Sequence, residues 1–290
     1  MIKQKISKVA LCILGITTIL NASEVEFGNG TFKISGGFIG LDHTIKDDVT
    51  TYSMVENHAS IFKSSWFYKY NITWYNSKKL VATQNNINTK LNNINTIIPS
   101  IDYKPQGLDI NLGIGKDLYH KSENDYLGLA LMLGFSAPYI DSKKDNNNND
   151  SLSNVAMNAM KKSKTKIYSY KIGLNIMQEI PLGNYFSIYG SATYDYQTGT
   201  MKNSYANSNL DADGTFQEYD IGIKFQPLKY DKKFGWFTFS PRLYATLGYR
   251  YSQWTLDDVA IDVTGVKVNF ANTDFKMRSS IGYFGIGYSF

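Results

Sequence analysis

Imidazole is the side chain best suited to proton transfer and metal binding near neutral pH, so the histidines are considered first. The 290-residue chain contains three histidines: His43, His58 and His120. His43 lies near the end of a predicted strand beside Asp42, and the carboxylates of Asp211 and Asp213 in a predicted loop could face it. The other two histidines fall in or near predicted turns at the opposite end. Acid–base catalysis needs carboxylates that lie at the same level on the predicted strands, and the sequence shows no such pair. We therefore expect that the protein is not an enzyme.

Other reactive groups are sparse. Cys12 is the only cysteine and falls in a predicted leader, so the rest of the chain has no disulfide, cysteine metal site or thiol nucleophile. The segment Asp211-Ala212-Asp213-Gly214 matches only the start of a calcium loop, and no nucleophile elbow of the form G-x-S-x-G occurs. A further cluster lies near a predicted hairpin tip: Asp42, His43, Asp47 and Asp48. Interpreted as solvated turns, these groups predict no metal and no cofactor.

A set of charged residues occupies the polar face of alternating segments. Its members are Lys171, Asp195, Glu218, Asp220, Lys224, Arg242 and Arg250. Charges that face an enclosed interior need opposite partners or water. Two of the acids lie on the segment that precedes the one bearing both arginines, so ion pairs between the two segments are expected. The set predicts a structural charge network in a lumen, and a path for a charged solute is the alternative.

Alternation between apolar and polar residues defines the elements that position these charges. The run from Phe62 to Tyr75 carries mostly aromatic or aliphatic residues at every second position, and similar runs recur along the chain. The run is longer than the ~5–6 residues of a common globular strand and suits the about 9–11 residues of a tilted membrane strand. Aromatics gather near the ends of the apolar faces, and glycines accompany the charges on the polar faces. This predicts an all-β fold, a closed antiparallel transmembrane β-barrel; a soluble sheet is the alternative.

The end of the sequence alternates in the same way and finishes on an aromatic ring. The apolar positions are Phe284, Ile286, Tyr288 and Phe290, separated by Gly285, Gly287 and Ser289. This ending resembles the C-terminal insertion signature of Gram-negative bacterial outer-membrane β-barrel proteins, which the barrel assembly machinery recognises. The resemblance implies an outer-membrane location, contact with outer-membrane lipid and folding by that machinery.

The N-terminus has the layout of a secretory signal peptide. Three lysines precede an apolar stretch from Val9 to Leu20, and small residues around Ala22 suit cleavage. We predict a signal peptide at 1–22 and a barrel domain at 23–290; an anchor helix is the alternative. The leader holds three lysines and no acid, so the 30 basic and 25 acidic residues become 27 against 25. This near-neutral remainder lacks a basic aromatic motif, so no nucleic-acid partner is expected.

Counting back from the C-terminus, with short inner turns and long outer loops, gives ten strands. They cover 31–43, 48–56, 61–76, 107–119, 126–140, 166–180, 185–200, 215–228, 236–254 and 277–290. The strand at 48–56 is weakly patterned, but a descending strand is needed there to keep the ends alternating; eight strands is the alternative. Hydrocarbon offers no hydrogen-bond partners, so the sheet must close on itself.

The two longest outer loops, 77–106 and 141–165, contain apolar residues at three- and four-residue steps, which predict short amphipathic helices near 80–98 and 152–160. Three functions compete. The first is a structural or surface-interaction barrel whose loops contact an extracellular partner. The second is a narrow porin-like channel for small solutes. The third is an outer-membrane protease built around His43, because some barrels of this class combine carboxylates with a histidine at the outer rim.

Overall fold

The computed structural model describes the chain in separate stretches. They are 23–38, 41–61, 64–77, 81–82, 101–144, 164–203, 208–228, 230–234, 237–263, 266–269 and 275–289. The predicted signal peptide at 1–22, the predicted loop helices apart from residues 81–82, and the terminal Phe290 lie outside these residues. Within the stretches given, no helix is long and apolar enough to cross a membrane.

Ten long antiparallel strands form the structure. In chain order they are β1 (Ser23–Phe38), β2 (Leu41–Ser60), β3 (Trp66–Ser77), β4 (Ile101–Ser122), β5 (Asp125–Lys144), β6 (Lys164–Pro181), β7 (Phe186–Asn203), β8 (Ser208–Phe225), β9 (Leu243–Val263) and β10 (Phe275–Tyr288). Each strand pairs with its successor, and β10 pairs with β1 from Ser23 with Tyr288 to Gly36 with Phe275. The sheet is therefore closed, which confirms the predicted ten-stranded barrel and excludes the eight-stranded alternative.

The two ends of the barrel differ in their connections. Short turns follow β2, β4 and β6 at one end, which we call the inner end. In the turn after β6, Gly183 has a φ of 88°, a left-handed conformation that glycine adopts without strain. The longer connections follow β3, β5 and β9 at the opposite end, which we call the outer end. Four short strands accompany the barrel: Val81–Ala82, Lys232–Phe234, Phe237–Phe239 and Val266–Asn269.

The first two strands differ from the predicted ones. β1 begins at Ser23 rather than at residue 31, and its first half carries Glu24 and Glu26 as buried, inward side chains. Phe38 pairs directly with Leu41, so the reversal into β2 comes earlier than expected. The prediction was wrong here because the residues before Thr31 were assigned to no strand and the acidic cluster was placed at a hairpin tip, whereas the ladder between β1 and β2 includes both.

The acidic cluster predicted as a hairpin tip lies on β2. Its four members are Asp42, His43, Asp47 and Asp48, and all lie in the ladder between β1 and β2. β2 spans Leu41–Ser60, so it is more than twice as long as the strand predicted at 48–56. Of the members whose side chains the structure describes, Asp48 is exposed and Asp47 is buried, so the cluster is not a solvated hairpin tip.

The ninth strand starts at Leu243 rather than at residue 236. Lys232–Phe234 and Phe237–Phe239 instead pair with each other as a separate two-stranded hairpin. Pro241 follows this hairpin, and proline has no N–H to donate to a ladder, so it suits the break better than a strand interior. The β8–β9 connection is consequently longer than a tight turn.

The two faces of the barrel wall have opposite chemistry. On β6 the outward Tyr170, Ile172 and Leu174 are 66%, 50% and 54% exposed, whereas the inward Lys171 and Asn175 are 3% and 0% exposed. Water-soluble proteins arrange these residue types the other way round, because apolar exposure and charge burial are both unfavourable. The arrangement is that of an outer-membrane β-barrel, with an apolar belt facing lipid and a polar interior.

The interior is apolar near the outer end, which the alternation did not predict. The buried cluster there consists of Phe32, Val49, Tyr75, Ile167, Phe216, Trp254, Leu256, Met277 and Ile281. The ring centroid of Trp254 lies 5.2 Å from that of Phe216 and 6.0 Å from that of Phe32. Tyr75 contacts both Phe32 and Trp254 at 5.7 and 6.2 Å. We call these four side chains the aromatic layer.

Candidate functional site

Arg250 is the centre of the charged interior. From β9 its guanidinium donates hydrogen bonds of 2.8 and 2.9 Å to the two carboxylate oxygens of Glu26 on β1. It donates two more, of 2.9 and 2.6 Å, to one oxygen of Asp220 on β8. All three side chains are buried, and a cation paired with a buried carboxylate offsets much of the cost of removing its charge from water. The planar guanidinium has enough donors for both acids, and we call these three residues the arginine clamp.

Two tyrosines extend the arginine clamp toward the inner end. The hydroxyl of Tyr283 donates a 2.6 Å hydrogen bond to the other oxygen of Asp220. The hydroxyl of Tyr189 lies 2.7 Å from that of Tyr283 and donates to it, because the single hydroxyl proton of Tyr283 already goes to Asp220. The guanidinium carbon of Arg250 lies 4.9 Å from the ring centroid of Tyr283, within cation–π range. Side chains from five strands therefore meet in one polar unit.

A second buried ion pair joins β6 to β4. The ammonium of Lys171 lies 2.7 Å from Asp109 Oδ1, and both side chains are at most 3% exposed. Asp109 also accepts hydrogen bonds from Asn111, at 2.6 Å, and from Ser136. The same ammonium lies 3.8 Å from the ring centroid of Phe216. This pair therefore connects the charged interior to the aromatic layer.

A cavity of 850 Å³ occupies the inner end of the barrel, and Asp220 of the arginine clamp reaches its wall. Its carboxylates are Glu24, Glu56, Asp117, Glu123, Glu179 and Asp220. The ammonium of Lys224 lies 3.2 Å from Glu179 and donates a 2.8 Å hydrogen bond to Asn124. Six acids therefore share the wall with this lysine, and two of them are already paired with cations, Glu179 with Lys224 and Asp220 with Arg250.

The wall of this cavity brings two histidines onto one carboxylate. His58 Nε2 lies 2.7 Å from Asp117 Oδ1, and His120 Nδ1 lies 2.9 Å from Asp117 Oδ2. The sequence placed these histidines in or near separate inner turns and gave no sign that they meet. They converge because β3 pairs with both β2 and β4, which brings the inner ends of those strands together.

The seven residues of the predicted charge network do not all lie together. Five are buried in the interior: Lys171, Asp195, Glu218, Asp220 and Arg250. Lys224 lines the inner cavity instead. Arg242 is exposed in the turn before β9, so its inclusion in the lumen network was wrong. The break at Pro241 removes it from the strand on which alternation had placed it.

Of the ion pairs expected between the acids of β8 and the arginines of β9, the one between Asp220 and Arg250 forms. Arg250 pairs with Asp220, whereas Glu218 accepts a 2.9 Å hydrogen bond from Ser252. Asp195 is fully buried, and neither of its oxygens has a hydrogen-bond partner among the described residues.

The sequence prediction omits several of the buried interior charges that the structure describes, among them Glu26, Lys69 and Asp109. Glu26 belongs to the part of β1 that the prediction omits. The other two lie on correctly assigned polar faces, but their partners are on strands that are not adjacent. The ammonium of Lys69, for example, donates a 2.9 Å hydrogen bond to Asn175 across the lumen. Alternation assigns a side chain to a face and contains no information about distances across a barrel.

The C-terminal signature lies where an outward apolar face is expected. Phe284 and Ile286 on β10 are 47% and 49% exposed, and the strand ends at Tyr288. Phe290 lies outside the described residues.

The residues of the protease alternative are on distant strands. His43 pairs through its backbone with Gly36 near the outer end of β2, and its side chain lies outside the described residues. Asp211 and Asp213 are on β8, which is four strands away from β2 around the barrel.

No protein-family model and no curated protein matches this sequence. Solved structures of outer-membrane barrels do match. The outer membrane protease OmpT from Escherichia coli matches over 93% of this chain and 97% of its own, with 7% identity and a TM-score of 0.48. The toluene transporter TodX of P. putida matches over 93% and 90%, with 9% identity and a TM-score of 0.29. The attachment invasion locus protein Ail of Yersinia pestis matches over 90% and 98%, with 11% identity and a TM-score of 0.27. These likenesses assign no role to this chain.

Proposed function

We propose that this chain is a non-catalytic outer-membrane β-barrel with a structural or surface-interaction role, and that it does not conduct solutes. A closed ladder with an apolar exterior needs hydrocarbon around it, which supports the membrane setting. Export by the signal peptide, contact with outer-membrane lipid and folding by the barrel assembly machinery belong to the same proposal.

The observation that carries the non-conducting role is the stack of side chains across the lumen. The aromatic layer fills the outer part and the arginine clamp fills the middle. Trp254 Nε1 donates a 3.0 Å hydrogen bond to Ser136, which itself donates to Asp109, so the apolar and charged parts are joined. A barrel of eight strands or a few more is just wide enough for side chains to fill it. A solute would have to displace Arg250 from its two carboxylates, which would leave buried charges without partners.

Planar-bilayer conductance of the refolded full chain tests this role. We expect a silent bilayer at protein amounts that give heat-modifiable, folded protein on electrophoresis. A porin of known conductance, refolded and added in the same way, shows that insertion succeeds. Stable unitary steps from the unaltered chain would contradict the closed lumen.

A narrow porin-like channel is the second candidate, and the 850 Å³ cavity favours it. This cavity opens the lumen from the inner end as far as Asp220. Conduction would then require the aromatic layer to move aside. Unitary steps that Trp254→Ala enlarges, and that the lipid-facing Trp74→Ala leaves unchanged, would support the channel.

The outer loops at 77–106 and 141–165 are the proposed contact with an extracellular partner. β4 and β5 remain paired as far as Ile101 with Lys144, so a strand pair supports both loops at the outer end. Replacing 145–163 by a short Gly-Ser linker should abolish adhesion of cells that display the protein to cultured host cells. The same linker at 204–207 should leave adhesion unchanged. Equal adhesion of all three proteins would contradict a role for this loop.

The proposal includes the absence of catalysis, and a peptidase assay on intact cells tests that part. We expect no cleavage by cells that display the protein. Cleavage that His43→Ala removes, with the barrel still folded, would favour the protease alternative.

A further inference from the structure

We propose that His58, Asp117 and His120 form a binding site for a divalent transition metal, Zn²⁺, at the inner end of the barrel. One ligand atom from each residue lies within 4.8 Å of the other two. A tetrahedral Zn²⁺ with bonds of about 2.0–2.2 Å holds its ligand atoms roughly 3.3–3.5 Å apart, so small side-chain rotations suffice. Two imidazoles and one carboxylate are a ligand set that zinc accepts, and they leave a fourth position for water.

Shifts in the pairing register of β2 and of β4 direct these three side chains toward one point. The register between β2 and β3 shifts between Glu56 and Ala59, and His58 lies within that bulge. The register between β4 and β5 shifts between Asp117 and Tyr119, directly before His120. Bulges re-aim side chains and are over-represented beside functional sites. Regular strands would have alternated these residues between lumen and lipid.

The surroundings hold the ligands in place. The ring of His58 stacks on Tyr126 with centroids 4.0 Å apart, and it lies 4.6 Å from the ring of Phe67. The side chains of His58 and Asp117 are 7% and 3% exposed, whereas that of His120 is 40% exposed. Two ligands are thus fixed by packing, and the third is accessible from the cavity. This is a preorganised site with an entry path.

A buried carboxylate beside the site favours a cation. Glu56 is 6% exposed, lines the same cavity and accepts a 3.0 Å hydrogen bond from the backbone N–H of His58. Its Oε2 has no hydrogen-bond partner within the described part of the chain. Nitrogen ligands select Zn²⁺ and related metals over Ca²⁺ and Mg²⁺, which prefer oxygen.

A bound ion would cross-link β2 to β4 over the intervening β3. Such a link would stabilise the folded barrel by mass action, because the unfolded chain does not hold the three ligands together. The proposal is independent of the role of the outer loops, since the site is at the opposite end.

Calorimetric titration of the refolded full chain with ZnCl₂ tests the site, using protein purified without a polyhistidine tag. We expect one Zn²⁺ per barrel, and affinity at least ~10-fold weaker in His120→Ala and in His58→Ala. His43→Ala is the matched control, because it removes the remaining histidine of the chain and should not change binding. His120 is the safest substitution for folding because its side chain is the most exposed of the three ligands.

Two further measurements keep the test decisive. Co²⁺ should give the visible absorption of a tetrahedral nitrogen–oxygen site in the unaltered chain and in His43→Ala, and not in His120→Ala. Zn²⁺ should raise the urea midpoint of the unaltered chain and leave that of folded His120→Ala unchanged. Absence of Zn²⁺ binding, or binding that survives in both His58→Ala and His120→Ala, would overturn the site.

Discussion

Arg250 on β9 holds Glu26 on β1 through paired hydrogen bonds of 2.8 and 2.9 Å, although β10 lies between the two strands. The contact therefore crosses the lumen side of β10 instead of following the backbone ladder. Neighbouring strands are already held by main-chain hydrogen bonds, so a contact over a strand adds a constraint that the ladder lacks. It fixes the interior cross-section of the barrel at this height.

Arg250→Ala should destabilise the barrel by about 3–5 kcal/mol, because it leaves Glu26 and Asp220 buried without a cation. Arg250→Lys should lose less, since it keeps the charge and gives up the fork geometry. Reversible urea unfolding in lipid vesicles, followed by tryptophan fluorescence, measures both. Arg242→Ala is the matched control, and its exposed side chain predicts a change within about 0.5 kcal/mol. Equal effects of the two alanine variants would contradict the arginine clamp.

Removal of Lys171 should be partly corrected by removal of the charge of its partner. Lys171→Met leaves the carboxylate of Asp109 buried and uncompensated, with an expected loss of about 3–5 kcal/mol. Adding Asp109→Asn keeps one of the two acceptor oxygens and removes the charge, so the double variant should be more stable than Lys171→Met. A double-mutant cycle of unfolding free energies gives the coupling. Additive losses would show that the two residues do not interact.

Gly128→Ala should destabilise the barrel by about 1–3 kcal/mol, because a methyl group there meets the ring of the fully buried Phe67. Adding Phe67→Leu should restore part of the loss. Gly282→Ala is the control on the lipid face, where the nearest atom to the new methyl group is the backbone oxygen of Asn29 at 3.9 Å. We expect that variant to be neutral or slightly more stable in the same unfolding assay.

The tryptophans should report the two sides of the wall separately. Trp74 is 49% exposed on the outward face, whereas Trp254 is 2% exposed within the aromatic layer. Variants that retain a single tryptophan, refolded into vesicles of brominated lipid, should show strong quenching for Trp74 and little for Trp254. Similar quenching of both would place Trp254 on the lipid face and remove the aromatic layer.

The outward face was predictable from the sequence, and the interior was predictable only in part. Lipid requires a continuous apolar surface, so residues such as Ile172 and Leu174 recur at every second position and define their strands. The interior has no such requirement, and it accepts both Arg250 and Trp254, which lie four residues apart on the inward face of β9. Their placement depends on partners that lie across the lumen.

The site around His58 was hidden for a different reason. Alternation assumes a regular strand, and the bulges that bring His58 and Asp117 together break that assumption. The adjacency of the two inner turns was available from the strand order, since β3 lies between β2 and β4. The convergence of ring nitrogen and carboxylate was not, because one extra residue in either strand reverses the direction of every side chain that follows.

The barrel closes where the first strand, β1, pairs with the last strand, β10. A fragment that lacks either strand therefore cannot form a closed barrel. With nine strands delivered, β1 and β9 would each still present a row of unsatisfied amides and carbonyls, and a bilayer supplies partners for neither. We therefore expect insertion into the bilayer and closure of the barrel to be coupled, with the fourteen residue pairs between β1 and β10 completing the ladder. A chain truncated within β10 would form an open sheet whose two unpaired edge strands promote aggregation.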